Sequence, residues 1–434
     1  MTALVYALGV VLFFLGVVAS IALHEVGHMW PAKKFGVKVT QYFVGFGKTV
    51  WSTKKGDTEY GVKMFPMGGY IKMVGMLPPE KRNPDGSPVS RGNGFFSRLI
   101  ADARAIEYEH VTPDDEDRLF YRKAWWKKVI VMSGGPMMNV FLAVVMLGIV
   151  FIGFGVAKSG LQVQSVEDCV IKASQAGRTC VSSDPLSPAA KAHFRPGDKI
   201  LAVNGVAMHS WDQFSQVTRA SADTTMKVAV ERDGHRVTLT AHPIRNQVNN
   251  LSNPTKYVEA GFLGIYPVQV RQRESVGYVF STMGNYAERT GSALLDLPQR
   301  MVGVTKAALG LEKRDPQSPM SVVGASRVAG QVASDSHIDL TDRVATLLTL
   351  LGVVNLFVAL FNFIPLLPLD GGHIAGAIYE ALRRAWAKLR RLPDPGYADV
   401  AKMLPIAYVA ASVLIVMGVM LVWADIVNPI RLTS

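Results

Sequence analysis

His24-Glu25-Val26-Gly27-His28 stands at the inner end of an almost wholly apolar run, Leu4 to Leu23. Two imidazoles four residues apart lie on one side of a helix, one turn apart, which is the spacing needed to grip a single Zn²⁺. The intervening Glu25 then stands beside the metal, where a carboxylate acts as general base. At about 1.5 Å per residue the preceding run crosses most of a hydrocarbon layer about 30 Å thick. Ionisable side chains at that depth are costly and mark functional sites. The competing reading is a pair of helix-end histidines that face lipid headgroups and carry no chemistry.

Composition points the same way. Apolar residues make up 49% of the 434, and the mean hydropathy is +0.21, high for a soluble enzyme. The net charge of +12 would suit nucleic acid, but several positive clusters flank the apolar runs, which is the pattern of membrane topology. The expected partner is therefore a lipid bilayer, with no nucleic acid. The amino-terminal run has no basic leader and no small-residue cleavage site before His24, so it reads as retained. Cys169 and Cys180 are the two cysteines, too few for a Cys-rich zinc site. Outside the cytoplasm they would close a short disulfide loop; the alternative is two free thiols.

Outward from the motif, Pro31 predicts a kink or a stop near that point in the first helix. Lys33, Lys34 and Lys38 follow at once and mark the cytoplasmic side, which sets the amino terminus outside and the histidine pair near the inner face. Residues 36–75 read as strands, with Gly45 and Gly47 breaking an aromatic stretch and Pro66-Met67-Gly68-Gly69 forming a turn. This hairpin either dips into the bilayer, where its polar backbone needs protein or a wet cavity around it, or stands as a small soluble hairpin. Residues 76–127 read as a partly flexible cytoplasmic loop. The second apolar run spans Val129 to Val156 and contains Gly134-Gly135-Pro136 and Asn139. Its small residues permit close helix contact.

Residues 158–245 read as a compact β-rich domain. Asn204-Gly205 and Asp233-Gly234 are two-residue turn signals, and Trp211 to Thr218 is helical. The order, with Arg195-Pro196-Gly197-Asp198-Lys199-Ile200-Leu201-Ala202-Val203-Asn204-Gly205, resembles a PDZ domain of the kind attached to bacterial membrane and periplasmic proteases. The segment bearing both cysteines reads as an insertion before that motif. Residues 246–343 read as a linker with amphipathic surface helices such as Leu294 to Leu311, and 344–434 as a second membrane half with apolar runs at Val344–Leu367 and Met403–Val427. Arg383, Arg384, Lys388, Arg390 and Arg391 between those runs point to the cytoplasm. Four crossings result, with both termini and the β-rich domain outside.

A catalytic zinc takes three protein ligands and keeps one position open. The third comes from Asn362-Phe363-Ile364-Pro365-Leu366-Leu367-Pro368-Leu369-Asp370-Gly371-Gly372-His373. Asp370 ends an apolar run at the depth expected for His24 and His28, where coordination to a cation offsets the cost of a buried carboxylate. His373 is the rival, further into the basic loop.

At this point nearly the whole chain resembles the site-2 protease family, the intramembrane zinc metalloproteases, and most closely the bacterial regulator-of-sigma-E type with one PDZ domain. The resemblance rests on the His24–His28 motif, Gly45-Phe46-Gly47, Pro66-Met67-Gly68-Gly69-Tyr70, Gly135-Pro136 with Asn139, the PDZ-like domain and Asn362…Pro365…Leu369-Asp370-Gly371. Lys48 departs from the family's usual proline after Gly-Phe-Gly, and the cysteine-bearing insertion is a second departure. The resemblance implies that His24, His28 and Asp370 bind one Zn²⁺ and that Glu25 is the catalytic base. It also implies that Asn362 holds substrate or the oxyanion, and that the Gly68-Gly69-Tyr70 hairpin is the membrane-embedded element that pairs with unwound substrate. The fold implied is a polytopic α-helical membrane protein of about four transmembrane helices, with a membrane-associated β-hairpin and an extracytoplasmic PDZ domain over 158–245; residues 1–157 form its first membrane half. The implied reaction is peptide hydrolysis within transmembrane segments of single-pass proteins, anti-sigma-factor-like proteins or signal-peptide remnants, in a bacterial inner membrane after a first cut by a site-1-type protease. A membrane-anchored PDZ scaffold with a vestigial metal site is the alternative. A transporter with an acidic relay lacks repeat symmetry or a second buried acid pair.

Overall fold

The structure, a computed structural model, describes residues 2–79, 94–108, 111–171, 179–181, 183–249, 257–315 and 318–430. It divides into two compact units, 1–154 with 275–434, and 155–274.

The first unit opens with α1 (Thr2–Lys34), 33 residues long. The helix continues through Pro31 to Lys34, because the proline costs the ladder one amide while the Phe35 amide still closes on the Pro31 carbonyl at 2.9 Å. β1 (Val39–Lys55) and β2 (Thr58–Met73) follow as an antiparallel pair. Gly45 and Gly47 take φ of +95° and +90°, a conformation that favours glycine, and they bend β1 so that its two halves pair separately. Residues 39–44 lie between 59–62 on one side and 69–73 on the other, while 49–55 pair with 58–63 on the far side. The spatial order is therefore 49–55, 58–63, 39–44, 69–73, with 69–73 at an edge. Of the loop expected over 76–127, residues 80–93 and 109–110 lie outside the described residues. The rest is more regular than its composition suggests: α2 (Phe95–Tyr108) is helical, and its charges find partners elsewhere, Arg104 on Asp399 at 2.7 Å. Lys38 likewise pairs with buried Asp115 at 2.7 Å, and this hydrogen bond brings the Asp115 carboxyl down to about 2.

α3 (Trp125–Gly148) ends in a π-helical turn, Ile149–Phe154. It crosses α1 so closely that a methyl group on Gly27 would overlap the Gly134 carbonyl. Small residues at the crossing set the two backbones together.

The second unit carries β3 (Val156–Val166), α4 (Pro188–Lys191), β4 (Lys199–Val203), β5 (Val206–Ala207), α5 (Trp211–Ala220), β6 (Met226–Arg232), β7 (His235–Ala241), β8 (Ile244–Asn249), β9 (Tyr257–Phe262) and β10 (Ile265–Gln272). Its main sheet runs β10-β3-β4-β6-β7, with β5 on β4, and β8 pairs with β9 separately. Val163, Ile200, Phe214, Met226, Val228 and Val230 are among its buried core. Ser187 and Ser210 cap α4 and α5 by accepting from the Ala190 and Gln213 amides. Cys169 and Cys180 are joined in a disulfide. Strands thus continue past residue 245, where the sequence suggests a linker. Pro267 masks β10, and a proline is tolerated there because β10 is a sheet edge.

The first unit resumes with α6 (Val276–Leu295), α7 (Leu297–Ala308), α8 (Val322–Ser334), α9 (Leu340–Asn362), α10 (Asp370–Leu389) and α11 (Leu404–Val427). Among the described residues, four helices are long and apolar enough to cross a membrane: Ala3–Lys34, Trp125–Phe154, Leu340–Asn362 and Val400–Val427. Their outward faces carry large apolar side chains such as Leu8, Leu12, Phe141, Val413 and Val416.

Candidate metal centre

Two helices meet at one point. α1 presents His24 and His28 one turn apart, and both rings are buried. α10 presents Asp370, its first residue, after an irregular passage through Pro365 and Pro368 that ends α9. The two Nε2 atoms are 3.1 Å apart, and each is 3.3 Å from Asp370 Oδ2.

The opposite ring nitrogens decide the tautomers. His28 Nδ1 lies 2.8 Å from the Val131 carbonyl, which can only accept, so the proton sits on Nδ1 and the lone pair on Nε2. His24 Nδ1 lies 3.2 Å from Asn139 Oδ1 and is turned the same way. Asp370 Oδ2 is buried and has no aligned hydrogen-bond donor among the described residues. Three lone pairs facing one another repel unless a cation stands between them. A tetrahedral zinc with ligands at about 2.0–2.1 Å holds neighbouring ligand atoms about 3.3–3.4 Å apart, so the donor set and its spacing fit that ion. Gly135 leaves the room: a methyl group there would overlap His28 Nε2 and stand 2.6 Å from His24 Nε2.

The triad opens into a cavity of about 440 Å³ that Glu25, Asn139, Asn362 and His373 also line. His373, the rival ligand, is one turn along α10 and stays outside the His24–His28–Asp370 cluster. Gly68, Gly69, Tyr70 and Ile71 form another wall. Gly69 passes so close to Glu25 that a methyl group on it would stand 3.0 Å from Glu25 Cγ, and the Ile71 amide faces the Glu25 carboxylate. The Tyr70 ring turns away into the hairpin, stacked on Phe43 and Phe46 with its hydroxyl donating to Gln41. What Tyr70 offers the cavity is therefore backbone. Cys169 and Cys180 belong to the other unit.

Sequence reasoning assigns no role to Asn139 or Val131. Asn139 leaves a visible signal, a lone amide in an apolar run. Val131 leaves none, because it acts through a carbonyl that any residue carries.

A model of the family described as Peptidase family M50 matches residues 12–391. The chain is 34% identical over 440 aligned residues to the zinc metalloprotease Rip1 of Mycobacterium tuberculosis, covering 99% of this chain and 100% of that protein. It is 29% identical to the zinc metalloprotease Rip1 of Mycolicibacterium smegmatis with the same coverage. Metalloprotease MmpA of Caulobacter vibrioides is 27% identical over 392 residues, 86% of each chain.

Proposed function

The chain belongs to peptidase family M50 and is a membrane zinc metalloprotease; from that premise we propose that it cuts transmembrane segments of single-pass proteins, with His24, His28 and Asp370 as the zinc ligands and Glu25 as the base. The observation that carries this reading is the meeting of three lone-pair donors within 3.3 Å beside Glu25 and an open strand edge.

Zinc held there supplies Lewis acidity and lowers the pKa of water towards about 7. The remaining work falls to this chain's own groups. Asn139 and the Val131 carbonyl hold the Nδ1 protons and so keep both Nε2 lone pairs aimed inward. Glu25 takes a proton from the attacking water as its oxygen bonds to the scissile carbonyl carbon. It then gives that proton to the amide nitrogen as the C–N bond breaks. Asn362 lies in reach of the same space and donates its side-chain amide to the carbonyl oxygen.

A transmembrane substrate satisfies its own backbone and must unwind locally to be cut, which leaves amides and carbonyls in need of partners. The edge at Gly69–Met73 supplies them by strand addition. The lysines after α1 and before α3 put the centre near the cytoplasmic face of a bacterial inner membrane, with both termini and the β-rich unit outside. That unit acts as a PDZ-like module with β10 as an open edge, and admits proteins already shortened by an upstream protease.

The test is cleavage of a single-pass substrate by reconstituted protein. Chelator should abolish cleavage and added zinc restore it. Glu25→Gln should retain zinc and lose at least about 100-fold in rate. Undiminished cleavage by Glu25→Gln would remove the assignment of the base.

A further inference from the structure

Lys128 on α3 and Glu380 on α10 make an ion pair of 2.8 Å with both side chains buried. The Ala398 amide donates to Glu380 Oε2 at 3.1 Å, and Arg384 stands 3.4 Å from Oε1. The Tyr397 ring lies under both Lys128 and Arg384, at 5.2 and 5.0 Å, and edge-on to Tyr121. Arg383 fastens this turn by donating to the carbonyls of Pro395, Gly396 and Tyr397.

A pair removed from water in this way adds little net stability, since desolvation offsets most of the attraction. Its value lies in where it is placed. On α3, Lys128 begins the stripe that continues through Val131, Gly135 and Asn139, the groups that hold and accommodate the two imidazoles. On α10, Glu380 lies on the helix that begins with Asp370, about 15 Å away at 1.5 Å per residue. Between them Gly371, Gly372 and Ala377 are the fully buried residues of α10, and half-buried Ile374 packs against the cluster that holds Val131 and Met132 of α3, an apolar contact that tolerates more than one register. Upstream, the passage over 363–369 is irregular, so α10 does not continue the helical ladder of α9. A slip of α10 by one turn would carry Asp370 about 5.4 Å from the imidazoles.

We propose that Lys128 and Glu380 are positioning residues, a buried ionic pin that sets the register of α10 on α3 and thereby holds Asp370 against His24 and His28. This rests on the assignment of those three residues as the zinc ligands. Neither Lys128 nor Glu380 lines the cavity, so the pin acts through α3 and α10 without touching metal or substrate. A single charged pair suits the task because it has one energetically acceptable register, whereas a smooth apolar contact has several.

The test uses the full chain, read by competition with a zinc chelator, by the visible spectrum of the Co²⁺-substituted protein and by thermal melting. Lys128→Met combined with Glu380→Met removes the charges and keeps the volume. It should melt close to the unaltered protein, yet bind zinc about 10-fold or more weakly and shift the cobalt bands. Unaltered melting together with unaltered zinc affinity and cobalt spectrum overturns the pin. If the double variant does not accumulate, Glu380→Gln decides by the same two metal readings, an unchanged pair of values again overturning it. Unaltered protein that holds no zinc sinks the ligand assignment instead, so the two failures are told apart.

Discussion

The wall of the cavity that carries His24 and His28 has its outer ring nitrogens committed, whereas the wall at Gly69–Ile71 leaves one strand edge open. On the first wall, each imidazole gives its Nδ1 proton to α3 and turns its lone pair inward. On the second, backbone groups of residues 69–73 pair with β1 on one side, and among the described residues no strand pairs with the other. The difference follows from what each wall meets. An ion needs donors held within tenths of an ångström before it arrives, so its supports are filled in advance. An unwinding peptide brings unsatisfied amides and carbonyls of its own, so the groups that receive it must be left free.

Changes to the committed wall should have the largest effects. Asp370→Ala should abolish both zinc retention and cleavage, with metal content per chain as the direct reading; stoichiometric zinc in that variant would break the comparison at its centre. Asn139→Leu removes one supporting acceptor without touching the donor set. It should weaken zinc binding by about 10–100-fold in a chelator competition, and a value within twofold of the unaltered protein would mean that His24 is oriented by something else.

The open wall is probed more gently, through the substrate. A Gly in place of an Ala near the cut lowers the cost of unwinding by about 1 kcal/mol, worth about fivefold in kcat/KM. Equal cleavage of a stiff leucine-rich helix and its glycine-bearing counterpart would count against strand addition as the receiving step. Tyr70→Phe should be milder still. It removes the hydroxyl bond to Gln41 but leaves the stack on Phe43 and Phe46 and the backbone edge intact, so kcat/KM should stay within about threefold, in line with about 0.6 kcal/mol, the low end for one hydrogen bond. Asp115→Asn lies outside both walls and should lower the melting temperature by a few degrees while zinc affinity holds. The Asp115 carboxyl lies below its ordinary value because Lys38 favours the charged form. Its contribution is therefore present at neutral pH and is lost as the pH falls from about 4 through about 2.

Several parts of this were legible in the residues. Four apolar runs announce four long apolar helices, since a membrane-spanning helix has to be apolar over its whole length. The turn at Asp233-Gly234 announces the β6–β7 hairpin. The histidine pair and Asp370 stand out as ionisable groups in apolar surroundings. Other parts were hidden for physical reasons. β10 pairs with β3 from the opposite end of the unit, and no local pattern encodes so distant a partner. α2 is hidden because its charges are answered by residues far along the chain, Arg104 by Asp399. The double pairing of β1 depends on two glycine bends whose direction composition does not state.

By itself the sequence determined which chemistry this chain can carry, because residue type and helical spacing alone limit what two imidazoles and an intervening carboxylate can do. It also determined that much of the chain belongs in a bilayer, because uninterrupted apolar length has no other stable setting. Tertiary structure alone decided that a carbonyl and a side-chain amide of α3 set both tautomers. It alone decided that residues 69–73 come to rest at an edge beside Glu25. Those outcomes hang on distances of about 3 Å between groups far apart along the chain, and distances of that kind arise when helices pack, not when residues are written in order.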